Sequence, residues 1–336
     1  MGFISKRERL SIVYFVVMCC LGIVQVVFAS VNTTLSDNVT DITYTLVSQC
    51  LCMGLVPFLL TLWLKPCSKG ESKVKSLFRD FGYRRPLSKK CWWLLFPTCI
   101  SLYLLTSLVA RVWSLFLLVI GFKNPTFGGY LFTKPWDLPL WIFVVGVLPA
   151  IFEEFTHRGL LLDMLEDRGN EWEMIFISAL LFGGMHTNIN QFGYAFVGGI
   201  VMGFITVRTG SIYFSMAAHF FTNFMSVMSS YASQEKGILG KISEAIDNFM
   251  VSPMGLVVLL GVLIANLFLL YYLMSCFDKL DTRERLRPKA FLPPKVFLDT
   301  YKKDGKATLK DNAYIIGSLC IGACVTLFTL LFGYFR

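Results

Sequence analysis

Charged side chains are scarce in this sequence, and histidine is rarer still. Asp, Glu, Lys and Arg together make up 16% of the 336 residues, and only three residues are His. A soluble globular domain carries about 25% charged residues. Because 55% of the residues are hydrophobic and the mean hydropathy is +0.61, the composition excludes a soluble domain and indicates residence in a membrane.

Common enzyme motifs are missing as well. The sequence has no glycine-rich phosphate loop, no His-Glu-x-x-His pair and no internal repeat. Its ten cysteines lie mostly in or beside apolar runs, and none lies in the part of the chain that holds the histidines. This placement argues against a disulfide framework, a catalytic thiolate and a cysteine zinc site. No recognition motif accompanies the basic residues, so no nucleic-acid partner is expected.

The sequence does contain nine long apolar runs. About 20 helical residues cross the hydrocarbon core of a bilayer, and a spanning helix satisfies all its backbone groups internally. We therefore predict an all-α, polytopic membrane bundle of about eight to nine transmembrane helices. The runs cover approximately residues 10–29, 44–64, 92–121, 138–152, 174–185, 192–207, 212–227, 253–276 and 313–335.

Two loops carry most of the positive charge. Residues 65–90 include nine Lys or Arg and residues 277–312 include ten, whereas residues 30–41 include none. By the positive-inside rule the N-terminus and both basic loops are cytoplasmic, and nine crossings then place Arg336 outside. Anionic lipid headgroups are the partner expected for these loops. Residues 73–85 mix basic and apolar side chains, which predicts an amphipathic helix lying in the membrane interface.

The apolar runs and basic loops divide the chain into three parts. Residues 1–137 hold the N-terminal transmembrane helices and the first basic loop, and residues 138–233 form a central helical core. Residues 234–336 hold the C-terminal helices and the second basic loop. We expect a multi-pass integral membrane protein, located in the plasma membrane if the source is bacterial.

A polar cluster stands out within the central core. His157, His186 and His219 all fall in one stretch of 71 residues that also holds Glu153 and Glu154. Ionisable side chains at membrane depth cost roughly 2.5 kcal/mol or more for the worst cases. A chain that keeps several of them close together is expected to use them, although His157 alone is expected to be a helix-face or interfacial residue.

Helical spacing assigns different surroundings to the two glutamates. Residues four apart share a helix face, so Glu154 faces Arg158 as an ion pair, while Glu153 diverges from Glu154 by about 100°. Glu153 is thereby free to act as a general base. Pro149, four residues before Glu153, removes a helix hydrogen bond and is expected to loosen the helix there.

Counting residues along the helices places the polar side chains at similar depths in the membrane. Glu153 lies 15 residues before Arg168 and His186 lies 18 residues after it, in adjacent helices. At 1.5 Å per residue the two side chains differ in depth by only about 4.5 Å, which permits a Glu–His dyad. His219 and Asn223 are four residues apart and share a face of a third helix.

Three sequence motifs lie in order on these apolar segments. Residues 153–158 match E-E-x-x-x-R, residues 182–186 match F-x-x-x-H and residues 219–223 match H-x-x-x-N. Together they resemble the motifs of the CAAX prenyl protease 2 and bacteriocin-processing intramembrane proteases, the CPBP or Abi family. The resemblance covers about 80 residues of the chain.

The resemblance implies an endopeptidase whose active site lies in the bilayer and opens toward the cytoplasm. In that family's terms, Glu153 with His186 would activate a water molecule. His219 with Asn223 would stabilise the oxyanion of the tetrahedral intermediate. The substrate would be a prenylated CAAX protein if the source is eukaryotic or archaeal. It would be a peptide pheromone, a bacteriocin or another membrane protein if the source is bacterial.

The resemblance also implies supporting residues and raises the question of a metal. Glu154 and Arg158 would hold the arrangement in place. Such proteins have been described both as metalloproteases and as glutamate proteases, and Glu153, His186 and His219 are the candidate zinc ligands. We favour the interpretation that needs no cofactor, with zinc as the alternative.

Two other function classes stay open at this point. In a transporter, the glutamates and histidines would relay protons or bind an ion, but such proteins often contain repeats, and none is detectable here. In a non-catalytic chaperone, immunity or scaffold protein, the same polar cluster would be purely structural. A proteolysis assay separates the intramembrane protease from both.

Overall fold

Helices form all the regular structure in the part of the chain that the structure describes. The computed structural model describes residues 5–31, 37–65, 70–83, 86, 88–122, 130–166, 171–235, 237–250, 252–285 and 309–334. Across these ranges there is no strand, and the predicted all-α class is confirmed.

Each of the nine apolar runs forms helix. The α-helices are α1 (Lys6–Val31), α2 (Asp37–Leu46), α3 (Val56–Leu64), α4 (Lys73–Asp80), α5 (Cys91–Val119), α6 (Asp137–Trp141), α7 (Leu148–Glu154), α8 (Leu162–Leu165), α9 (Glu171–Met185), α10 (Ile189–Thr209), α11 (Ile212–Gln234), α12 (Ile238–Met250), α13 (Pro253–Arg285) and α14 (Leu309–Tyr334). Three π-helical segments join some of them without a break: π1 (Val47–Leu55), π2 (Ile142–Val147) and π3 (Phe155–Leu161).

Six helical stretches are long and apolar enough to cross a membrane by themselves. They are Lys6–Phe28, Val39–Leu64, Cys91–Val119, Asp137–Leu165, Ile189–Thr209 and Pro253–Leu280, and the described part of α14 adds the shorter apolar stretch Ala313–Leu327. Helix α9 has only 15 residues, and α11 carries polar side chains such as His219 and Asn223. The polytopic helical bundle is thus confirmed, while the count of about eight to nine crossings stays a prediction.

The π-helical segments surround the polar cluster. Segments π2 and π3 flank α7 on the same helix, and π1 packs against α7. Pro57 and Pro149 lie just after π1 and π2, and neither has an N–H to donate to a helical hydrogen bond. The Met53 carbonyl in π1 accepts a hydrogen bond of 2.8 Å from the Thr156 hydroxyl in π3. A side-chain hydrogen bond thus joins two of the π-helical segments.

Small residues bring α9 and α10 into close contact beside the cluster. A Cβ atom added at Gly199 would lie 3.0 Å from the Ala179 Cα atom, and one at Gly203 would lie 3.4 Å from Ile175. Such contacts between glycine and neighbouring backbone are typical of membrane helix pairs. The short turn between the helices places Asn188 as the N-cap of α10, where its side chain accepts from the Asn190 N–H.

Helix α4 is covered by protein on its apolar side. Its residue Leu77 and the adjoining Phe81 are buried, at 0% and 3% exposure, and Phe81 packs against Phe155 and Gly159 of π3. That residues 73–85 lie in the membrane interface stays a prediction. An amphipathic pattern predicts an apolar face, but the tertiary structure decides whether lipid or protein covers it.

Ion pairs gather at one end of the bundle. The close pairs there are Lys6–Asp163, Lys65–Asp80 and Arg208–Glu171, each at 2.5 Å, and Arg208–Asp278 at 3.0 Å. Electrostatic interactions also link Asp163 with Lys65 and Asp80, so these helix ends lie close together. This is the end that the positive-inside rule assigns to the cytoplasm.

Candidate active site

Glu153 lies in the last turn of α7 and is almost completely buried, with 5% of its surface exposed. Its two carboxylate oxygens have different surroundings. Oε1 accepts a hydrogen bond of 2.6 Å from the side-chain amide of Gln49 in π1. Oε2 has no hydrogen-bond partner among the described residues and lies 3.9 Å from Nε2 of His219. One oxygen is therefore fixed by the protein and the other faces a histidine.

Glu154 is fully buried and forms the ion pair that the spacing predicts. The Nη1 atom of Arg158 lies 3.1 Å from its Oε1 atom, and Nδ1 of His219 lies 2.9 Å from the same oxygen. The Arg158 guanidinium also stacks 4.3 Å above the Phe182 ring, and its Nη2 atom donates to the Gly199 carbonyl over 3.4 Å. These contacts offset the cost of burying an ion pair, which would otherwise be destabilising.

His219 connects the two glutamates. Because a carboxylate oxygen only accepts, the hydrogen bond to Glu154 assigns the proton of the neutral ring to Nδ1. Nε2 of that ring is then an acceptor, and it faces Oε2 of Glu153. Two acceptors 3.9 Å apart, both buried, are suited to a water molecule that donates one hydrogen to each.

His186 lies one residue beyond the end of α9, at the start of a sharp turn. Its Nδ1 atom donates to the Phe182 carbonyl over 2.8 Å, which leaves Nε2 of the neutral ring as an acceptor. Electrostatic interactions link the ring with Glu153 and His219. The next residue, Thr187, has a φ of 49°, a left-handed conformation that is costly for a β-branched side chain. The structure thus brings His186 into the cluster, without a direct hydrogen bond to Glu153.

Asn223 shares a face of α11 with His219, as predicted, but its amide is partly engaged. Its Nδ2 atom donates over 2.9 Å to the carbonyl of Val145 in π2. This hydrogen bond links α11 to π2 and uses one of the two N–H donors of the amide group.

The sequence predicted a helix-face or interfacial position for His157. In the structure the side chain is completely buried. Its Nδ1 atom donates over 3.0 Å to the backbone carbonyl of Glu153, and its Nε2 atom accepts from the Tyr14 hydroxyl over 3.1 Å. The side chain therefore fixes the backbone at Glu153 from the first helix of the protein. Packing between α1 and π3, which the helical pattern does not reveal, explains the difference.

Three residues of the site were not predicted. Gln49 and Tyr14 come from the N-terminal helices and contact Glu153 and His157. Phe182 was noted only as a motif position, yet its ring lies 5.1, 5.1 and 5.7 Å from the rings of His157, His186 and His219. For Gln49, an uncharged polar side chain inside an apolar run was the signal in the sequence.

A zinc ion would need three protein ligands from the candidates Glu153, His186 and His219. Within the described ranges, no group of three His, Cys, Asp or Glu side chains is arranged to hold a metal ion. As placed, the three candidates do not fit a zinc site. The chemistry below is therefore derived from the side chains and water alone, and metal dependence stays a question for experiment.

Comparison with known families agrees with the motifs. Residues 135–225 match the family model described as Rce1-like, a type II CAAX prenyl endopeptidase. This segment contains all three motifs and spans roughly a quarter of the chain, which confirms the resemblance seen in the sequence. Comparisons with curated proteins and with solved structures found no match. The matched segment indicates a CAAX endopeptidase-type hydrolase within a helical membrane protein, and Gln49 and Tyr14 lie outside it.

Proposed function

We propose that the protein is an intramembrane endopeptidase that hydrolyses a peptide bond of a membrane-associated or prenylated protein. The observation that carries the proposal is the approach of Glu153 Oε2 and His219 Nε2 to 3.9 Å inside the bundle, in the segment that matches the endopeptidase family. Both atoms are acceptors and both are buried, so they are suited to bind and orient one reactive water molecule.

In this proposal Glu153 is the general base. Its Oε2 atom takes a proton from the water while the water oxygen attacks the carbonyl carbon of the peptide bond. His186, which interacts electrostatically with Glu153 and His219, flanks the water without accepting from it, because both hydrogens of the water are already bound. Glu153 then returns the proton to the leaving amine as the carbon–nitrogen bond breaks, so that a carboxylate and an amine are released.

The other side of the site stabilises the negative charge of the intermediate. Asn223 offers its second amide N–H to the oxyanion. As the intermediate collapses, His219 takes the remaining proton of the water at Nε2, which leaves the product as a carboxylate. The Glu154 carboxylate at Nδ1 stabilises the resulting imidazolium until its proton passes to the solvent. Arg158 keeps the Glu154 carboxylate in position through their ion pair.

Replacing Glu153 with Gln tests the base. The change is isosteric and keeps a hydrogen-bonding group beside Gln49, so the thermal unfolding midpoint should stay near that of the wild type. Hydrolysis of a prenylated reporter peptide in detergent or liposomes should fall by about 100-fold or more, because an amide does not accept the proton. Glu244→Gln, on the exposed surface of α12, is the matched control.

Two outcomes would contradict the proposal. Glu153→Gln with activity within a few fold of the wild type would remove Glu153 as the base. A folded wild-type protein that hydrolyses neither prenylated nor unmodified membrane peptides would favour the transporter or scaffold alternatives.

A further inference from the structure

Gln49 belongs to π1, far from the matched segment, and is buried with 8% exposure. Its Nε2 atom donates to Oε1 of Glu153 over 2.6 Å. This is a short contact, as expected for a hydrogen bond to a charged group. The two residues are 104 positions apart in the sequence, so the contact exists only through packing of the two helices.

The geometry gives this hydrogen bond a specific consequence. The terminal torsion of a glutamate side chain is broad, so a carboxylate with no partner can rotate and exchange its two oxygens. The Gln49 amide engages Oε1 and leaves Oε2 opposite His219. We propose that Gln49 is a positioning residue, which holds the Glu153 carboxylate so that Oε2 faces the reacting water. This inference rests on the proposed function.

Close packing on both sides keeps this pair in register. A Cβ atom added at Gly54 would lie 2.7 Å from Phe152, so π1 and α7 approach as closely as glycine allows. One turn further along, the Thr156 hydroxyl donates to the Met53 carbonyl over 2.8 Å. These contacts hold the donor and the acceptor on two helices that have little freedom to shift.

The backbone of Glu153 is held as well, by a different part of the protein. His157 donates to its carbonyl, and Tyr14 in α1 donates to His157. The N-terminal helices thus act on both parts of the base. Gln49 binds its side chain directly, and Tyr14 binds the histidine that holds its backbone carbonyl. Misplacing a catalytic group by about 1 Å can cost 100-fold in rate, so such contacts matter for turnover.

The test is Gln49→Met, which removes the donor and nearly preserves side-chain volume. We expect kcat for a prenylated reporter peptide to fall by about 10- to 100-fold, with KM within about twofold, because the base is misplaced and substrate contacts are unchanged. Ser48→Ala is the matched control, since Ser48 is buried in the same segment but bonds to the Thr45 carbonyl. It should keep the kcat of the wild type.

A shorter amide provides a second variant. Gln49→Asn keeps a buried amide but its reach is shorter by one methylene, so it should lose the contact with Glu153 and show the same fall in kcat. It replaces Gln49→Met if that variant does not fold. The thermal unfolding midpoint and the amount of folded protein are measured on each preparation.

The outcomes separate this inference from the function on which it rests. Wild-type kcat in Gln49→Met, beside an inactive Glu153→Gln, would overturn the positioning role and leave the proposed function standing. A loss of activity that only follows the loss of folded protein would also overturn it, since that pattern is purely structural. A folded wild type without hydrolysis would overturn both.

Discussion

At the scale of single residues, Asn223 serves two requirements at once. One amide N–H binds the Val145 carbonyl in π2. The other is proposed to reach the oxyanion. A polar side chain in an apolar bundle is thus bound to the backbone of the neighbouring helix, which also fixes its direction.

Because Asn223 has two proposed hydrogen bonds, Asn223→Ala should affect turnover and stability to different extents. Turnover should fall by about 100-fold through loss of the oxyanion donor. The free energy of unfolding should fall by only about 0.6 kcal/mol, the average for a hydrogen bond between membrane helices. Ser226→Ala is the matched control, because it removes an exposed hydroxyl that bonds only within α11.

Kinetics and thermal unfolding on the same preparations check this prediction. A destabilised Asn223→Ala variant with the turnover of the wild type would show that Asn223 acts only through the backbone. It would then leave the proposed catalytic set.

The zinc question also belongs to the residue scale. Because Glu153, His186 and His219 are not arranged as three metal ligands, we expect well under one zinc per chain after purification in detergent, and hydrolysis that survives strong chelation. Elemental analysis and assays with and without a chelator measure both. Stoichiometric zinc that is lost with activity, and restores it on readdition, would contradict this expectation.

At the scale of helices, the π-helical segments distinguish this bundle from one built of regular α-helices. Segments π2 and π3 lie on either side of α7, the helix that carries both glutamates, and π1 supplies Gln49. Insertions of this kind leave backbone groups without regular partners and often accompany functional sites. Here Thr156 binds the Met53 carbonyl in π1, and Asn223 binds the Val145 carbonyl in π2.

Helix α4 covers π3, and this contact predicts the effect of Gly159→Ala. A Cβ atom at Gly159 would lie 2.9 Å from the Phe81 ring, too close without movement of α4. We expect a loss of about 1–3 kcal/mol in the free energy of unfolding, as for other overpacked sites. Denaturant unfolding in mixed micelles provides the measurement.

Gly261→Ala is the matched control, because no atom lies within 4 Å of the Cβ position on that helix. It should be neutral, or stabilising by up to about 1 kcal/mol through helix propensity. If Gly159→Ala were as stable as the wild type, α4 would have to be free to move away from π3.

At the scale of the whole molecule, the ion pairs give the bundle a polar end. The ends of α1, α3, α8 and α10 meet there, beside α4. Such an asymmetry is the usual signal for membrane orientation. The opposite end of the bundle carries the exposed apolar residues of α12, which is too short to span a bilayer.

We predict that this polar end faces the cytoplasm. An epitope before Met1 should be detected only after permeabilisation of cells or sealed vesicles, and one after Arg336 should be detected in intact ones, if nine segments cross. Two epitopes on the same side would mean an even number of crossings. A reversed pattern would contradict the orientation, and an epitope within residues 65–90 is the control for the cytoplasmic side.

The sequence by itself determined the class of the protein and most of its candidate site. Apolar runs, charge asymmetry and residues four apart are local properties, and they depend only on the helical repeat and the cost of placing charge in lipid. They were sufficient for the helical bundle, the Glu154–Arg158 pair and the shared face of His219 and Asn223.

Only the tertiary structure decided which neighbours these residues meet. Gln49 reaches Glu153 across 104 positions, Tyr14 reaches His157 across 143, and Asn223 reaches Val145 across 78. No helical repeat relates positions so far apart, so the sequence does not predict these contacts. The burial of α4 against π3 has the same origin, because an apolar face is encoded locally while its partner is chosen by packing.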